Sequence, residues 1–203
     1  MMAETRMNAM IPKERIGVLV GPKGSVKSTI EQKLFVDLKI DSESGSVDIG
    51  VKPDSPDPSY ALRAKDMVLA IGRGFSPPRA FSLFNDDYTF EIVDLHDYFG
   101  KNEAEIRRVD GRIIGKEGRA RRNIEELTGT LISVSGHTIS IIGTFESVSM
   151  AKDALEKLIE GRQHGTVYKI LKKRRKKVKK EKALGLWEGS SQPRKRLSGP
   201  GDV

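Results

Sequence analysis

Apolar and polar residues follow two different periods along the chain, and the changes of period predict short strands separated by amphipathic helices. Residues 36–40 alternate as a half-buried strand does, and residues 46–51 return as a second strand after a hairpin turn. Ala61, Ala64 and Val68 have the spacing of one helical face. A similar succession returns between residues 88 and 160. We therefore predict two units, each with the order β-α-α-β-β-α.

A nearly identical segment occurs in both halves, at a constant offset of 94 residues. Residues 17–31 have the sequence GVLVGPKGSVKSTIE, and residues 111–125 have the sequence GRIIGKEGRARRNIE. Three glycines, one isoleucine and one glutamate are identical at matched positions. A single Gly-x-x-Gly turn is common, but two turns in the same longer frame indicate an internal repeat.

The second of these turns, Gly115 to Gly118, combines the features of an anion-binding site. Glycine lets a backbone come unusually close to a ligand. The helix predicted after the turn directs free N–H groups and the positive end of its dipole towards an anion. Arg119 and Arg122 add positive charge on one side of that helix. The sequence therefore predicts that a phosphate chain is held here against apolar residues.

The segment GRGFSPP at residues 72–78 breaks both periods and divides the chain. We predict a first unit at residues 1–75 and a second at residues 76–165, of which residues 76–87 are linker. Aromatic residues are concentrated after the break, and we expect them to seal the interface between the units rather than to stack on bases. They are Phe81, Phe84, Tyr88, Phe90, Tyr98 and Phe99.

Charge is distributed unevenly. The whole chain carries a net charge of +8, but residues 161–203 alone carry +11, so the rest is slightly acidic. We treat residues 166–203 as a basic tail that is partly disordered, or helical only when bound, and that contacts phosphates through its dense lysines and arginines. Trp187 is either an anchor for a partner or part of a small apolar docking patch, and the sequence does not favour one of these.

The sequence argues against several classes of function. Residues 21–28 are only superficially similar to a nucleotide-binding P-loop, because Val26 stands where that motif has a glycine. Asp86 and Asp87 are adjacent, and the three histidines are scattered along the chain, so no metal nuclease site is indicated. We expect no enzyme activity, no cofactor and no metal. The absence of cysteine and of long apolar runs predicts a cytoplasmic protein without a membrane segment.

The two helix–Gly-x-x-Gly–helix frames, each preceded by a strand and followed by a hairpin and a helix, resemble K-homology (KH) domains of type I. This resemblance implies an α+β fold with two tandem type I KH domains, each a three-stranded sheet packed against three helices, followed by the basic tail. KH loops clamp single-stranded nucleic acid by its backbone.

The pair of units and the tail together resemble archaeal relatives of the partner-of-Nob and Krr family of small-subunit ribosome assembly factors. The implied ligand is the 3′ end of small-subunit ribosomal RNA. The implied partners are the Nob-type endonuclease and the α subunit of initiation factor two. An alternative is a protein-interaction scaffold, in which degenerate KH domains dock such a nuclease or initiation factor.

The resemblance assigns RNA-binding roles residue by residue. The clamp of the second unit is Gly115, Lys116, Glu117 and Gly118. Arg119, Arg122 and Arg112 would lie near phosphates, and the floor of the groove under the bases would be Ile113, Ile114, Ile132 and Val134. A secondary site in the first unit would comprise Gly21, Pro22, Lys23, Gly24 and Lys27. We rank the second unit first because Pro22 removes one N–H from the first loop, although Glu117 places a negative charge in the second.

Overall fold

The structure is a computed structural model that describes residues 6–190, without the side chains of residues 182, 183 and 185–190. The elements of the first unit are β1 (Arg6–Met10), α1 (Lys13–Val20), α2 (Ser25–Lys33), β2 (Val36–Ile40), β3 (Ser46–Val51) and α3 (Tyr60–Gly72). The linker forms α4 (Pro77–Ala80) and a 3₁₀ turn (Phe81–Phe84).

The second unit repeats this order with one added short helix, α5. Its elements are β4 (Tyr88–Asp94), α5 (His96–Phe99), α6 (Glu103–Ile114), α7 (Arg119–Thr128), β5 (Leu131–Ser135), β6 (Thr138–Thr144) and α8 (Phe145–Ile159). A long helix, α9 (His164–Ser190), follows. The predicted α+β class is confirmed, with two three-stranded sheets packed against helices.

Both sheets have three antiparallel strands, and in each the last strand in sequence lies in the middle. The orders are β1-β3-β2 and β4-β6-β5. In the first sheet Ile49 lies between Met7 and Leu38, and in the second Ile139 lies between Val93 and Val134. The strand that follows the Gly-x-x-Gly helix, β2 or β5, is therefore an edge strand in each unit.

Two hydrophobic clusters form the core. The first lies between the β1-β3-β2 sheet and helices α1, α2 and α3, and fully buries Leu19, Ile30 and Ile71. The second lies between the β4-β6-β5 sheet and helices α6, α7, α8 and α9, and fully buries Ile124 and Leu155. Each amphipathic helix places its apolar face on its own sheet, because that arrangement removes the largest apolar area from water.

The first unit and the linker cover the outer face of the second sheet. Strand β6 is buried on both faces up to Gly143, whereas β2 alternates between buried and exposed residues. Ser133 donates a hydrogen bond to the carbonyl oxygen of Arg73 (2.9 Å), and Arg73 donates one to Thr138 (2.9 Å). The units therefore share a packed interface.

Four of the aromatic residues expected at this interface pack there against the first cluster: Phe81, Phe84, Tyr88 and Phe90. For these four the prediction is confirmed. Phe99 packs instead against the second cluster, and Tyr98 is 45% exposed, so the prediction is wrong for both. They lie at the α5 corner, on the second unit's own core and surface.

Helix α9 differs from the sequence expectation for the tail. The lysine–arginine block at residues 172–182 is helical, and Val167 and Leu171, which follow the predicted domain boundary at residue 165, belong to the second cluster. The expectations for residues 191–203 and for the side chain of Trp187 lie outside the described part. Within the described part, no helix combines the length and the apolarity that crossing a bilayer requires.

Candidate nucleic-acid interface

The two Gly-x-x-Gly loops have the same backbone conformation. In the first loop (Gly21–Gly24) the φ angles of Gly21, Lys23 and Gly24 are 73°, 52° and 78°. In the second loop (Gly115–Gly118) the φ angles of Gly115, Glu117 and Gly118 are 68°, 56° and 73°. Pro22 fits this conformation as the first residue of a 3₁₀ turn, so it does not distort the first loop. The two repeated segments therefore share their backbone dihedral angles as well as their sequence pattern.

The first glycine of each loop is required for packing. A Cβ atom at Gly115 would lie 2.6 Å from the Cβ atom of Ala120, and one at Gly21 would lie 2.4 Å from Cγ2 of Val26. The last glycine has no such neighbour: a Cβ atom at Gly118 would find its nearest atom 4.0 Å away. The space beside Gly118 is therefore open to a ligand.

Hydrogen bonds hold the second loop in place. The N–H of Gly115 donates to the carbonyl oxygen of Gly111 (2.8 Å), and the N–H of Gly118 donates to Gly115 (3.1 Å). Arg122 donates to the carbonyl oxygen of Glu117 (2.7 Å). The structure thus assigns Arg122 a contact within the loop, in addition to the phosphate role that the sequence predicted.

The predicted site residues divide into exposed and buried sets. Lys116, Glu117 and Arg119 are exposed, as are Pro22 and Lys23 in the first loop. Lys27 is half-buried and pairs with Glu31 (3.7 Å). These residues lie in the two loops or next to them.

Two of the predicted floor residues do not reach the surface. Ile113 and Ile132 are both 0% exposed and belong to the second cluster. Ile113 continues the inward face of α6, and Ile132 points from β5 towards the helices. The apolar surface that remains for bases is Ile114, which is 37% exposed, and the half-buried Val134.

Arg112 has a structural contact that the sequence did not indicate. Its guanidinium donates to the carbonyl oxygens of Gly161 (2.8 Å) and Arg162 (2.5 Å). A nitrogen of His164 lies 2.9 Å from the carbonyl oxygen of Arg112. Arg112 therefore fixes the start of α9 next to the second loop.

Helix α9 lies along α7, which places the basic tail beside the candidate clamp. Arg175 donates to the carbonyl oxygen of Glu126 in α7 (3.4 Å), and Arg174 pairs with Asp153 in α8 (2.5 Å). The outward side of α9 is rich in exposed cations, namely Lys172, Lys173, Lys176, Lys177, Lys179 and Lys180. The charge block that the sequence assigned to a separate tail is thus part of the surface around α7.

The linker also reaches this unit, through Arg79 of α4. Arg79 pairs with Glu125 of α7 and lies 3.5 Å from the carbonyl oxygen of Ile132 on the edge strand β5. Its guanidinium also lies over the ring of Phe75 (5.4 Å). Sequence reasoning missed this residue, because nothing in the local pattern around Arg79 indicates which helix it meets.

Two histidines that the sequence analysis treated as isolated lie together at the end of the second sheet. The rings of His96 and His137 are stacked with centroids 4.0 Å apart, and both face the carboxylate of Asp94. Burial raises the pKa of Asp110 in α6 above its usual value, and a smaller effect of His137 opposes that shift.

Comparisons with known proteins agree with this geometry. The model of the second KH domain of PNO1, a eukaryotic-type KH domain (KH-domain type I), matches residues 89–176. The KH domain-containing protein MJ0443 of Methanocaldococcus jannaschii is 46% identical over 181 residues, covering 89% of this chain and 78% of that protein. The pre-rRNA-processing protein pno1 of Schizosaccharomyces pombe is 30% identical, covering 80% and 68%.

Solved structures extend the likeness to three dimensions. A chain in the crystal structure of the a/eIF2alpha–aDim2p–rRNA complex from Pyrococcus horikoshii OT3 is 44% identical, with a TM-score of 0.81. The match covers 87% of this chain and 97% of that one. These matches confirm the family resemblance that the two glycine frames indicated. The chain belongs to the PNO1/Dim2 family of KH-domain proteins.

Proposed function

We propose that this protein binds single-stranded RNA through its second unit and acts, without catalytic activity of its own, in the processing of precursor ribosomal RNA. The observation that carries the proposal is the Gly115–Gly118 loop, whose backbone is open to solvent beside Gly118. A phosphate chain needs such a place, because only a backbone without a side chain lets it approach main-chain groups closely. The two units are then tandem type I KH domains, the second being the principal site.

The surroundings of the second loop support an anionic ligand. Lys116 and Arg119 are exposed on either side of Gly118, and α9 adds a row of lysines next to α7. Ile114 offers an exposed apolar surface at the end of α6. The α2 helix of the first unit has fewer cations, and Lys27 is engaged with Glu31. The first unit is therefore the weaker site.

The similar proteins support a specific class of RNA as the ligand. One is named for pre-rRNA processing, and the homologous structure holds ribosomal RNA and the α subunit of initiation factor two. We infer that the RNA is the 3′ end of small-subunit ribosomal RNA and that the same subunit is a partner in the cytoplasm. Any cleavage of that RNA would fall to a Nob-type endonuclease bound nearby.

A pair of matched variants tests the site. Gly118→Asp and Gly24→Asp introduce the same side chain at equivalent loop positions. Neither new Cβ atom would clash, because its nearest atom is 4.0 Å away at Gly118 and more than 4 Å away at Gly24. The full-length variants are titrated with a fluorescently labelled RNA oligonucleotide of the small-subunit 3′ end, with anisotropy as the readout. We expect wild-type affinity to be micromolar or better, a large loss for Gly118→Asp, and a small loss for Gly24→Asp.

A scrambled oligonucleotide serves as the specificity control, and circular dichroism verifies that each variant is folded. Equal losses for both variants would contradict the ranking of the two units. Wild-type affinity in folded Gly118→Asp would contradict the clamp. No RNA binding by the wild type would leave the protein-interaction scaffold as the better description.

A further inference from the structure

The cluster of Asp94, His96 and His137 lies at the end of the second sheet. Asp94 ends β4, His96 begins α5, and His137 lies in the turn between β5 and β6. His96 and His137 are two of the three histidines in the chain. One ring nitrogen of each histidine and one carboxylate oxygen of Asp94 all lie within 4.8 Å of one another.

Backbone contacts preorganise the cluster. The N–H of His96 donates to Oδ1 of Asp94 (2.8 Å), which orients the carboxylate. The N–H of Leu95 donates to the carbonyl oxygen of His137 (2.8 Å), which joins the turn to the end of β4. Two segments distant in sequence therefore hold their side chains together without a hydrogen bond between those side chains.

Two of the distances between these side chains are close to those between metal ligands. Nδ1 of His96 lies 3.6 Å from Oδ1 of Asp94, and Nε2 of His137 lies 3.7 Å from Oδ2. These separations exceed the roughly 2.7–3.2 Å of a good hydrogen bond. Tetrahedral Zn²⁺, with bonds of about 2.0–2.1 Å, holds two ligand atoms about 3.3 Å apart. A shift of a few tenths of an ångström would bring each of these two pairs to that spacing. The two stacked imidazole rings would also have to rotate so that their in-plane lone pairs meet at one ion.

We propose that Asp94, His96 and His137 form a binding site for a divalent transition ion of the Zn²⁺ class. Two imidazole nitrogens and one carboxylate oxygen suit Zn²⁺ better than Mg²⁺ or Ca²⁺, which prefer oxygen ligands alone. All three side chains are partly exposed, so an ion can enter from solvent and water can complete its coordination.

The ion would act as a cross-link. It would join the end of β4 and the start of α5 to the β5–β6 turn, in a chain that contains no cysteine and therefore no disulfide. Strand β5 leads into that turn and contains Val134, beside the proposed RNA groove. The site would thus stiffen one wall of the groove, but it does not depend on the protein binding RNA.

Metal titration of the full chain tests the proposal. The protein is first freed of metal with a chelator. Co²⁺ is then followed by its visible absorption, which is intense for tetrahedral sites, and Zn²⁺ by calorimetry and by displacement of Co²⁺. We expect saturation at one ion per chain and an increase in the thermal unfolding temperature with Zn²⁺.

Four variants identify the ligands. His96→Gln, His137→Gln and Asp94→Asn should each lower the affinity by on the order of tenfold or more. Asp94→Asn keeps an oxygen that can accept the hydrogen bond from the N–H of His96, and without metal the variants should unfold as the wild type does. His164→Gln is the control, because His164 contacts Arg112 and not this cluster. This variant should bind the metal ion with wild-type affinity. No saturable binding by the wild type, or equal binding by His137→Gln, would overturn the proposal.

Discussion

The carboxylate of Glu125 accepts a hydrogen bond from the backbone N–H of Ile132 at 2.6 Å. In the first unit Glu31 makes the same contact with the N–H of Leu38 at 2.8 Å. Both pairs join the helix after the glycine loop to the edge strand of the sheet, where backbone groups lack a neighbouring strand. The repeated glutamate therefore has a structural explanation: it satisfies an otherwise unpaired N–H and fixes the loop helix to the sheet.

Replacement of this glutamate should lower stability more in the second unit than in the first. A hydrogen bond to a charged group contributes about 1.5–3 kcal/mol, and Glu125→Ala also releases Arg79. We expect Glu125→Ala to lower the free energy of unfolding by about 3 kcal/mol and Glu31→Ala by about 2 kcal/mol. Urea unfolding followed by far-ultraviolet circular dichroism measures both.

Glu126→Ala is the matched control, since Glu126 is the next residue on α7 and its side chain is exposed. Its effect should stay within about 0.5 kcal/mol. Similar losses for Glu125→Ala and Glu126→Ala would show that charge on α7, and not the contact with Ile132, determines stability.

The two glycines of one loop should respond differently to alanine. Gly118→Ala meets open space and should cost about 1 kcal/mol for its positive φ angle. Gly115→Ala has the same backbone cost and also brings a Cβ atom to 2.6 Å from that of Ala120, so we expect a total of about 3 kcal/mol. Urea unfolding compares the free energies.

The first loop provides an independent repetition of this experiment. Gly21→Ala would overlap Val26, whereas Gly24→Ala has no atom within 4 Å. The order of the two costs should be the same as in the second loop. A larger cost at Gly24 than at Gly21 would mean that the loop conformation, and not the contact below it, limits substitution.

Much of this fold could be predicted from the sequence, because the repeat occurs within a local frame. The offset between Gly21 and Gly115 also relates Leu38 to Ile132, so one alignment gives both loops and both edge strands. Ile113 lies one helical turn after Val109, and this spacing indicates that Ile113 is buried. Its assignment to the groove floor did not take that spacing into account. Ile114, the next residue, is the one that reaches the surface.

Other contacts form between residues that are distant in sequence, so no local sequence pattern indicates them. His137 meets His96 only because β4 pairs with β6, which places Asp94 opposite Thr138. The block at residues 172–182 predicted disorder, or a helix that forms only on binding, because like charges repel. Burial of Leu171 and the ion pair of Arg174 with Asp153 offset that repulsion where α9 lies on the second unit.

Asp66 of α3 should make stability depend on pH. Burial raises the pKa of its carboxyl group to about 6 from 3.8, against a smaller opposing effect of Lys65. The folded state therefore binds this proton more tightly, and stability falls as pH rises from about 4 to about 6. With allowance for solvent screening, Asp66→Asn should stabilise the protein at pH 7 by roughly 1 kcal/mol. Urea unfolding at several pH values measures this.

Asp57→Asn is a useful control because hydrogen bonds with Ser59 lower the pKa of Asp57, which is the opposite direction. At pH 7 this substitution should not stabilise the protein. The proposal for Asp66 fails if Asp66→Asn leaves the slope of stability between pH 4 and pH 6 unchanged.

Shortening α9 should separate its structural part from its electrostatic part. Removal of residues 176–203 keeps Val167, Leu171 and Arg174, so the free energy of unfolding should be nearly unchanged. RNA binding should weaken at low salt, and the slope of log affinity against log salt concentration should become smaller, because fewer counterions are released. Anisotropy titrations at several salt concentrations measure that slope.

Leu171→Ala in the full chain is the contrasting variant. It should lower the free energy of unfolding by about 2–4 kcal/mol and leave the slope intact. An unchanged slope after the truncation would mean that the lysines of α9 do not contact RNA.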